Sequence, residues 1–205
     1  MLKKQLFLCL ILALGLLPVG HASAATLNFN PISLSVVETN SFDVDVILSD
    51  LGGGLVGGFD IVVGYDPLLL TATDVQYSGN LGIVDIDTFT STDLSIPGEV
   101  TAFEFSFLPA GSIGDPPVPL SLGSLQDGAS VTIATLRFLA NGTGTASLSF
   151  LFSLISAGDA LPIDLTAIGT ARVVISPIPL PGAIWLMITG LMGVGAMARK
   201  KALTR

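Results

Sequence analysis

The stretch VGGFDIVVGYDPLLLTATDV, Val56 to Val75, carries the pattern that decides the fold. Apolar side chains recur at every second position through Phe59, Ile61, Val63 and Tyr65, and an Asp-Pro pair then interrupts the run. A period of two is typical of a strand with one buried face, and Asp-Pro favours a turn. The stretch therefore predicts a strand, a turn and a second strand, with Tyr65 packed into the core.

The same alternation continues through the rest of the chain, broken by turns that contain glycine, proline or asparagine. The predicted strands are 26–36 (interrupted at Pro31), 41–48, 56–65, 69–77, 82–87, 99–107, 130–140, 145–153 and 169–175. Residues 109–128 hold too much proline and glycine for a strand and are expected to form a surface loop. About nine strands without helical crossovers indicate an all-β fold, an antiparallel two-sheet sandwich over residues 25–175.

Residues 103–107 repeat this alternation with aromatic side chains. Phe103, Phe105 and Phe107 stand on either side of Glu104 and of a serine. Since side chains two apart share one face of a strand, the phenylalanines are expected in the core and Glu104 at the solvent.

Three segments in this order resemble cohesin domains: SFDVDVILSDL at 41–51, the opening stretch, and DGASVTIATLRFLANGTGTASLSF at 127–150. In cohesins a strand ending in a Tyr-Asp-Pro turn follows an early strand that bears aspartate. An Ala-Thr-Leu-x-Phe strand then leads through a Gly-Thr turn into another apolar strand. The resemblance implies a nine-stranded jelly roll and a noncatalytic protein-binding module, related in fold to carbohydrate-binding modules.

The first 24 residues have the layout of a secretory signal peptide. Lys3 and Lys4 precede an apolar run from Leu6 to Leu17, and the small residues Ala22 and Ala24 follow it. This order of a basic start, an apolar core and a small-residue site is recognised and cut by signal peptidase. We therefore expect residues 1–24 to be removed on export.

Removal of this segment takes away the only cysteine, Cys9, and the only histidine, His21. The remaining chain then has no thiol nucleophile and no imidazole base, which excludes Ser-His-Asp and Cys-His catalysis. A glycosidase would need two carboxylates facing each other, and the acidic residues are scattered without a cluster. We expect the protein not to be an enzyme.

The acidic residues are concentrated in the predicted sandwich. All 16 lie between Glu38 and Asp164, and only Arg137 and Arg172 oppose them within residues 25–175, so this part carries a net charge of −14. Such a surface repels phosphate backbones and excludes nucleic acid as a partner. The charge also keeps an apolar domain in solution.

Two aspartate pairs are candidates for a cation site. Asp43 and Asp45 share one strand face by their spacing, and so do Asp85 and Asp87. Carboxylate oxygens in such pairs can bind calcium, which is the only cofactor that the sequence leaves open. A solvated acidic face explains the same residues without any metal.

Tyr77 is the candidate for contact with a glycan. It adjoins the turn Ser78-Gly79-Asn80, where an aromatic ring can be exposed, and the predicted sandwich contains no tryptophan. Aromatic rings supply the flat apolar area on which a sugar can pack. A polysaccharide therefore stays open as a partner beside a protein.

The C-terminal segment 176–205 has the layout of a membrane anchor. Residues 180–198 carry no formal charge and, as a helix rising about 1.5 Å per residue, reach roughly the thickness of a bilayer core. Trp185 suits the interface, and Arg199, Lys200 and Lys201 follow on the side expected to face the cytoplasm. We predict one transmembrane helix here, with the sandwich outside the inner membrane.

The segment PLPGAIWLMITGLMGVGAMARKK, 179–201, resembles PEP-CTERM sorting signals. The motif residues are Pro177, Pro179, Leu180 and Pro181, and PIPLP stands where that family has Pro-Glu-Pro. The resemblance implies a Gram-negative envelope in which an exosortase-type enzyme recognises the tail. The protein is then delivered to the cell surface or the extracellular matrix, often alongside exopolysaccharide.

Taken together, these features predict an exported noncatalytic binding module that contacts an envelope or matrix protein, or a polysaccharide, in adhesion or biofilm matrix. The alternative is a coat or matrix protein that assembles with itself through exposed strand edges. Concentration-dependent assembly without another ligand would favour the alternative.

Overall fold

The computed structural model of the chain describes residues 25–117, 120–179 and 186–192. The strands are β1 (Ala25–Asn30), β2 (Ser33–Val37), β3 (Ser41–Ser49), β4 (Val56–Gly64), β5 (Leu70–Tyr77), β6 (Thr88–Asp93), β7 (Glu99–Ser106), β8 (Ser130–Ala140), β9 (Gly144–Ala157), β10 (Leu165–Ile168) and β11 (Thr170–Ser176). One short helix, α1 (Leu122–Leu125), lies between β7 and β8.

The strands form two sheets. The five-stranded sheet has the order β10-β1-β3-β8-β5, and the six-stranded sheet has the order β2-β11-β9-β4-β7-β6. The predicted all-β sandwich is confirmed. Most neighbours are antiparallel as predicted, but β1 pairs with β10, and β2 with β11, in parallel.

The described residues contain eleven strands rather than about nine. The predicted break at Pro31 is confirmed, since β1 ends at Asn30 and β2 begins at Ser33 in the other sheet. Proline has no backbone N–H to donate to a ladder, which favours a change of sheet there. The short strand β10 was not predicted.

The predicted strand 82–87 is wrong. This segment turns on itself, with the backbone N–H groups of Ile86 and Asp87 donating to the carbonyl of Ile83, and β6 begins only at Thr88. The predicted loop 109–128 also contains α1, whose backbone is tied to the loop by the N–H of Leu122 donating to Pro109.

Aromatic rings fill the centre of the sandwich. Phe29 stacks on Phe150 with ring centroids 4.3 Å apart, and Phe42 stacks on Phe138 at 5.7 Å. Tyr65 meets Phe138 edge-on at 5.4 Å, and its predicted place against the core is confirmed. Such pairs add to the stability gained from burying the rings.

The predicted signal peptide, with Ala22 and Ala24, lies outside the described residues. So do two motif positions, Leu180 and Pro181, and four anchor positions, Trp185, Arg199, Lys200 and Lys201. Pro177 and Pro179 follow β11 without regular structure, and residues 186–192 are helical. Among the described residues, no helix combines the length and the apolar character that a membrane crossing requires.

Candidate functional site

Strand β7 presents its phenylalanines to solvent and its glutamate to the core. Glu104 is fully buried, whereas Phe105 and Phe107 expose 37% and 67% of their surface. The prediction that these phenylalanines face the core and Glu104 faces solvent is therefore wrong. The pairing with β4 explains it, because Glu104 lies opposite the buried Phe59, and opposite residues of an antiparallel pair share a face.

A bulge in β9 moves two more apolar side chains to the outer side. Phe150 lies opposite Val63 and faces inward, but the register shifts at the next position, so Phe152 lies opposite the outward Val62. Leu154 then also points outward, and both side chains are about half exposed. An extra residue in one strand reverses the alternation beyond it.

The edge strand β6 continues the same reversal. Phe89 is exposed on the outer side, directly opposite Phe105, while Thr88, Thr90 and Thr92 alternate with it toward the inner side. Strands β6 and β7 together are called the inverted edge, because they carry aromatic rings outside and polar groups inside. This distribution is the opposite of what burial of apolar surface favours in an isolated domain.

The outward side chains of four neighbouring strands form one apolar surface, called the aromatic face. It consists of Val62, Phe89, Phe103, Phe105, Phe107, Leu151, Phe152 and Leu154. Two T-shaped pairs order its rings, Phe89 with Phe103 at 6.1 Å and Phe105 with Phe107 at 6.0 Å. Exposed apolar patches are typical of interaction sites, which makes this face the candidate site.

Asp60 is the carboxylate at the middle of the aromatic face. It lies opposite Leu154 on one side and Phe103 on the other. Next to it Gly58 keeps the surface flat, since a Cβ there would stand 3.0 Å from the ring of Phe105. Within the described residues, the Asp60 side chain has neither a hydrogen bond nor an ion pair, so it is available to a partner.

Glu104 lies directly behind this face. Neither of its carboxylate oxygens has a hydrogen-bond partner among the described residues, and the buried hydroxyl of Thr88 has none either. Burial raises the pKa of Glu104 to about 7, and the nearby Thr88 hydroxyl opposes part of this rise. A carboxyl without a counter-charge in an apolar interior favours its neutral form.

The candidate calcium residues Asp43 and Asp45 lie on the outer side of the five-stranded sheet. Both oxygens of Asp43 accept hydrogen bonds from Arg137, at 2.8 and 3.0 Å, and this hydrogen bonding lowers the pKa of Asp43. Asp45 accepts a hydrogen bond of 2.7 Å from Thr135. These carboxylates therefore already have protein partners.

The other candidate pair, Asp85 and Asp87, lies in the turn segment before β6. Asp87 accepts a hydrogen bond of 3.1 Å from the backbone N–H of Ile83. In the part of the chain that the structure describes, no group of three or more potential ligand side chains could hold a metal ion. Calcium binding stays a prediction for both pairs.

Tyr77 connects the two sheets at their edges, where β5 is the last strand of one sheet and β6 the last strand of the other. Its hydroxyl donates to the carbonyl of Ser91 at 2.8 Å and lies 2.7 Å from the Thr92 hydroxyl, and its ring packs near Phe59 at 6.2 Å. Burial raises the pKa of the Tyr77 phenol. The side chain is half-buried and links β5 to β6, and contact with a glycan stays a prediction.

A groove of about 430 Å³ opens at one end of the aromatic face. Its lining includes Tyr65, Asp66, Glu99, Ser149 and Leu151. Leu151 also belongs to the aromatic face, so the groove extends that surface with polar groups. Sequence reasoning predicted neither the groove nor the face.

One signal in the sequence could have revealed the reversal of β7. Val100 and Ala102 precede Glu104 and Ser106 on one side of the strand, whereas Glu99 and Thr101 precede the phenylalanines on the other, so each side carries both polar and apolar residues. The pattern alone therefore allows either side to face inward, and the run of alternating phenylalanines predicts the wrong one.

No protein-family model matches the chain, and no curated protein matches it significantly. Solved structures do match. A cohesin of Clostridium acetobutylicum, solved in solution, superposes with a TM-score of 0.54 over 74% of this chain and 91% of its own, at 18% identity. The fold is that of cohesin domains.

Two further cohesins support the same assignment. The sixth cohesin of Acetivibrio cellulolyticus scaffoldin B, solved with a Cel5 dockerin, gives a TM-score of 0.56 at 13% identity over 75% of this chain and 99% of its own. A non-cellulosomal cohesin of the archaeon Archaeoglobus fulgidus gives 0.52 at 12% identity, covering 75% and 91%. The predicted cohesin-like fold is confirmed.

Proposed function

We propose that the protein is an exported, noncatalytic binding module that docks a partner protein on its aromatic face. The observation that carries the proposal is the reversal of β7, which places Phe105 and Phe107 in solvent while Glu104 occupies the core. Exposed rings and a buried carboxyl both lower the stability of a free domain. Such an arrangement is explained when a partner covers the rings.

The chemistry of the face specifies the partner. A flat apolar surface around the unpaired carboxylate of Asp60 fits an apolar protein surface that carries one lysine or arginine. The net charge of −14 over residues 25–175 attracts such a cationic partner from a distance. Aromatic anchors with a central charge supply affinity and register together.

Several solved cohesins support a protein rather than a polysaccharide as the main ligand. The Acetivibrio cellulolyticus domain and two Clostridium thermocellum cohesins were solved as complexes with dockerins. A dockerin is the partner of those proteins, and the partner of this chain is defined here only by its chemistry. A polysaccharide in the groove beside Leu151 is the second candidate.

The tail suggests where the module acts. We include in the proposal that residues 1–24 direct export and that 176–205 act as a PEP-CTERM-type signal read by an exosortase-type enzyme. The basic residues Arg199, Lys200 and Lys201 after an uncharged stretch support a stop at the inner membrane of a Gram-negative cell. Delivery to the surface or matrix then places the aromatic face among envelope proteins.

Site-specific photo-crosslinking in the native envelope tests the docking proposal. A photoreactive amino acid replaces Phe105 in one chain and Gln76, on the five-stranded sheet, in the control chain. We expect a discrete protein adduct from position 105 alone, reduced at least tenfold by Asp60→Lys. Equal adducts from both positions, or an adduct indifferent to Asp60→Lys, would contradict the proposal.

Self-assembly is the alternative function, and the free edge of β6 next to the aromatic face favours it. Sedimentation velocity of the full chain over a hundredfold range of concentration separates the two. A constant sedimentation coefficient supports docking of a different protein. Growth of the complex with concentration, abolished by Phe89→Asp, supports assembly of identical copies.

A further inference from the structure

The inverted edge contains a buried ionisable group without a counter-charge. Glu104 is fully buried on the inner side of β7, and both of its oxygens lack a hydrogen-bond partner among the described residues. The hydroxyl of Thr88, on the inner side of β6, is also buried and unpartnered. A neutral carboxyl can be accommodated there, but an ionised one loses its hydration, and only the nearby Thr88 hydroxyl favours the charged form in return.

No cation in the described part of the chain compensates this carboxyl. Arg137 is paired with Asp43 on the outer side of the five-stranded sheet, and Arg172 is exposed on β11. Among the described residues, Tyr77 on β5 is the titratable group that interacts electrostatically with Glu104 from the opposite sheet, and its phenol is neutral over the range of interest.

The remaining neighbours bring no charge to the inner side. On β4, Phe59 lies opposite Glu104, and the carboxylate of Asp60 points to the outer face. On β6, Thr90 lies opposite Glu104. Asp93 is exposed at the end of β6, and Asp85 and Asp87 belong to the preceding turn.

We propose that Glu104 is a proton-operated latch that holds the edge strand β6 in place, so that the aromatic face is complete at acid pH and loosens as the pH rises. This inference rests on the proposed docking function in one respect only, namely that docking would give the pH response a biological use. The latch itself is a property of the fold.

The strand β6 is the element that can respond. It has only one neighbour in its sheet, β7, and its inner side is lined by threonines rather than by apolar groups. Edge elements with few apolar contacts open at a lower free energy than the rest of a domain. Ionisation of Glu104 therefore has its effect where the structure is weakest, and it displaces Phe89 from the aromatic face.

The direction of the pH effect follows from the pKa of Glu104. In the folded chain the pKa is about 7, above the ordinary value of 4.5, so the folded state retains a proton that the unfolded state has lost. The stabilisation is complete below the ordinary value, declines as the pH rises toward 7, and is absent above it. Each pH unit within this window changes the equilibrium by about tenfold.

Hydrogen exchange on the full chain in mild detergent tests the latch. Exchange of the β6 amides, corrected for the intrinsic pH dependence, is compared at pH 5.5 and pH 8.5 in the wild type and in Glu104→Gln. We expect β6 protection in the wild type to fall at least about tenfold at the higher pH, and to stay constant in the neutral isostere. If the change in β6 protection between pH 5.5 and pH 8.5 is the same in the wild type and in Glu104→Gln, the latch is overturned.

Two controls keep the test decisive. Glu99→Gln removes a carboxylate on the outer side of the same strand and should behave like the wild type. If Glu104→Gln does not fold, carbon-detected titration of Glu104 is compared in the wild type and in Thr88→Val. The midpoint should lie near 7 in the wild type and move upward in Thr88→Val, since the hydroxyl no longer favours the charged form. A wild-type midpoint near 4.5 would refute the latch.

The crosslink from position 105 links the latch to docking and separates the two possible failures. We expect its yield to decline between pH 5.5 and pH 8.5 in the wild type but not with Glu104→Gln. If β6 loosens as expected and no adduct forms at any pH, the docking function fails while the latch stands. If adducts form but neither exchange nor yield depends on Glu104, the latch fails while docking stands.

Discussion

Gln126 shows at the scale of one residue how a loop is fixed to the sandwich. Its side-chain amide accepts from the backbone N–H of Val56 at 2.8 Å and donates to the carbonyl of Val56 at 2.8 Å and of Asn80 at 3.1 Å. This buried amide replaces a strand neighbour at the start of β4. Gln126→Ala would leave these backbone groups unpaired, and we expect it to lower the free energy of unfolding by roughly 2 to 4 kcal/mol.

Denaturant unfolding followed by circular dichroism measures this effect. The matched control is Gln76→Ala, which truncates an exposed glutamine whose amide makes only a long 3.4 Å hydrogen bond to Asp74. Its effect should stay within about 0.5 kcal/mol. Similar losses in both variants would show that the buried amide has no special role.

At the scale of elements, Tyr77 ties β5 of one sheet to β6 of the other through its hydroxyl. Tyr77→Phe retains the ring and removes the tie, so we expect a loss of about 1 kcal/mol and faster exchange of the β6 amides. Tyr65→Phe is the control, since that hydroxyl accepts only a 3.4 Å hydrogen bond from Ala72. If Tyr77 instead packs its ring against a sugar, Tyr77→Phe should still bind the glycan and keep the β6 amides protected. Tyr77→Ala should then lose glycan binding.

The strands also mark the limit of pattern reasoning at this scale. Alternation defines two sides of a strand, and the cross-strand partner determines which side is buried. In β4 the assignment from sequence is correct, because glycines and Asp60 leave only one apolar side. In β7 each side mixes polar and apolar residues, and in β9 a bulge reverses the phase after Phe150, so the aromatic face escaped prediction.

At the scale of the whole molecule, we propose that the tail directs where the sandwich is delivered. Mass spectrometry of the mature C-terminus from intact cells tests the sorting proposal. We expect a terminus near Pro177–Pro181 in the wild type. Replacing Arg199, Lys200 and Lys201 by glutamate should leave the tail attached and the protein in the membrane fraction or unexported, because the basic cluster sets the orientation.

A matched variant with lysine in place of Arg199 keeps the charge and should be processed normally. An intact Arg205 on the wild-type protein at the cell surface would contradict processing and leave a permanent anchor as the explanation. A further variant changes Pro177, Pro179 and Pro181 to alanine. If its tail still inserts into the membrane but is no longer cut, the processing enzyme recognises the proline motif rather than the apolar character of the tail.

The sequence by itself determined the all-β sandwich, the break at Pro31, the core position of Tyr65 and the acidic surface, because these follow from local periodicity, backbone chemistry and composition. Only the tertiary structure decided that Phe105 faces solvent and Glu104 the core. That choice depends on the pairing of Glu104 with Phe59, more than forty residues away, and the exposure of Phe152 and Leu154 depends on a bulge in β9. Long-range register is not encoded in any local window, and both the proposed docking face and the proposed latch depend on it.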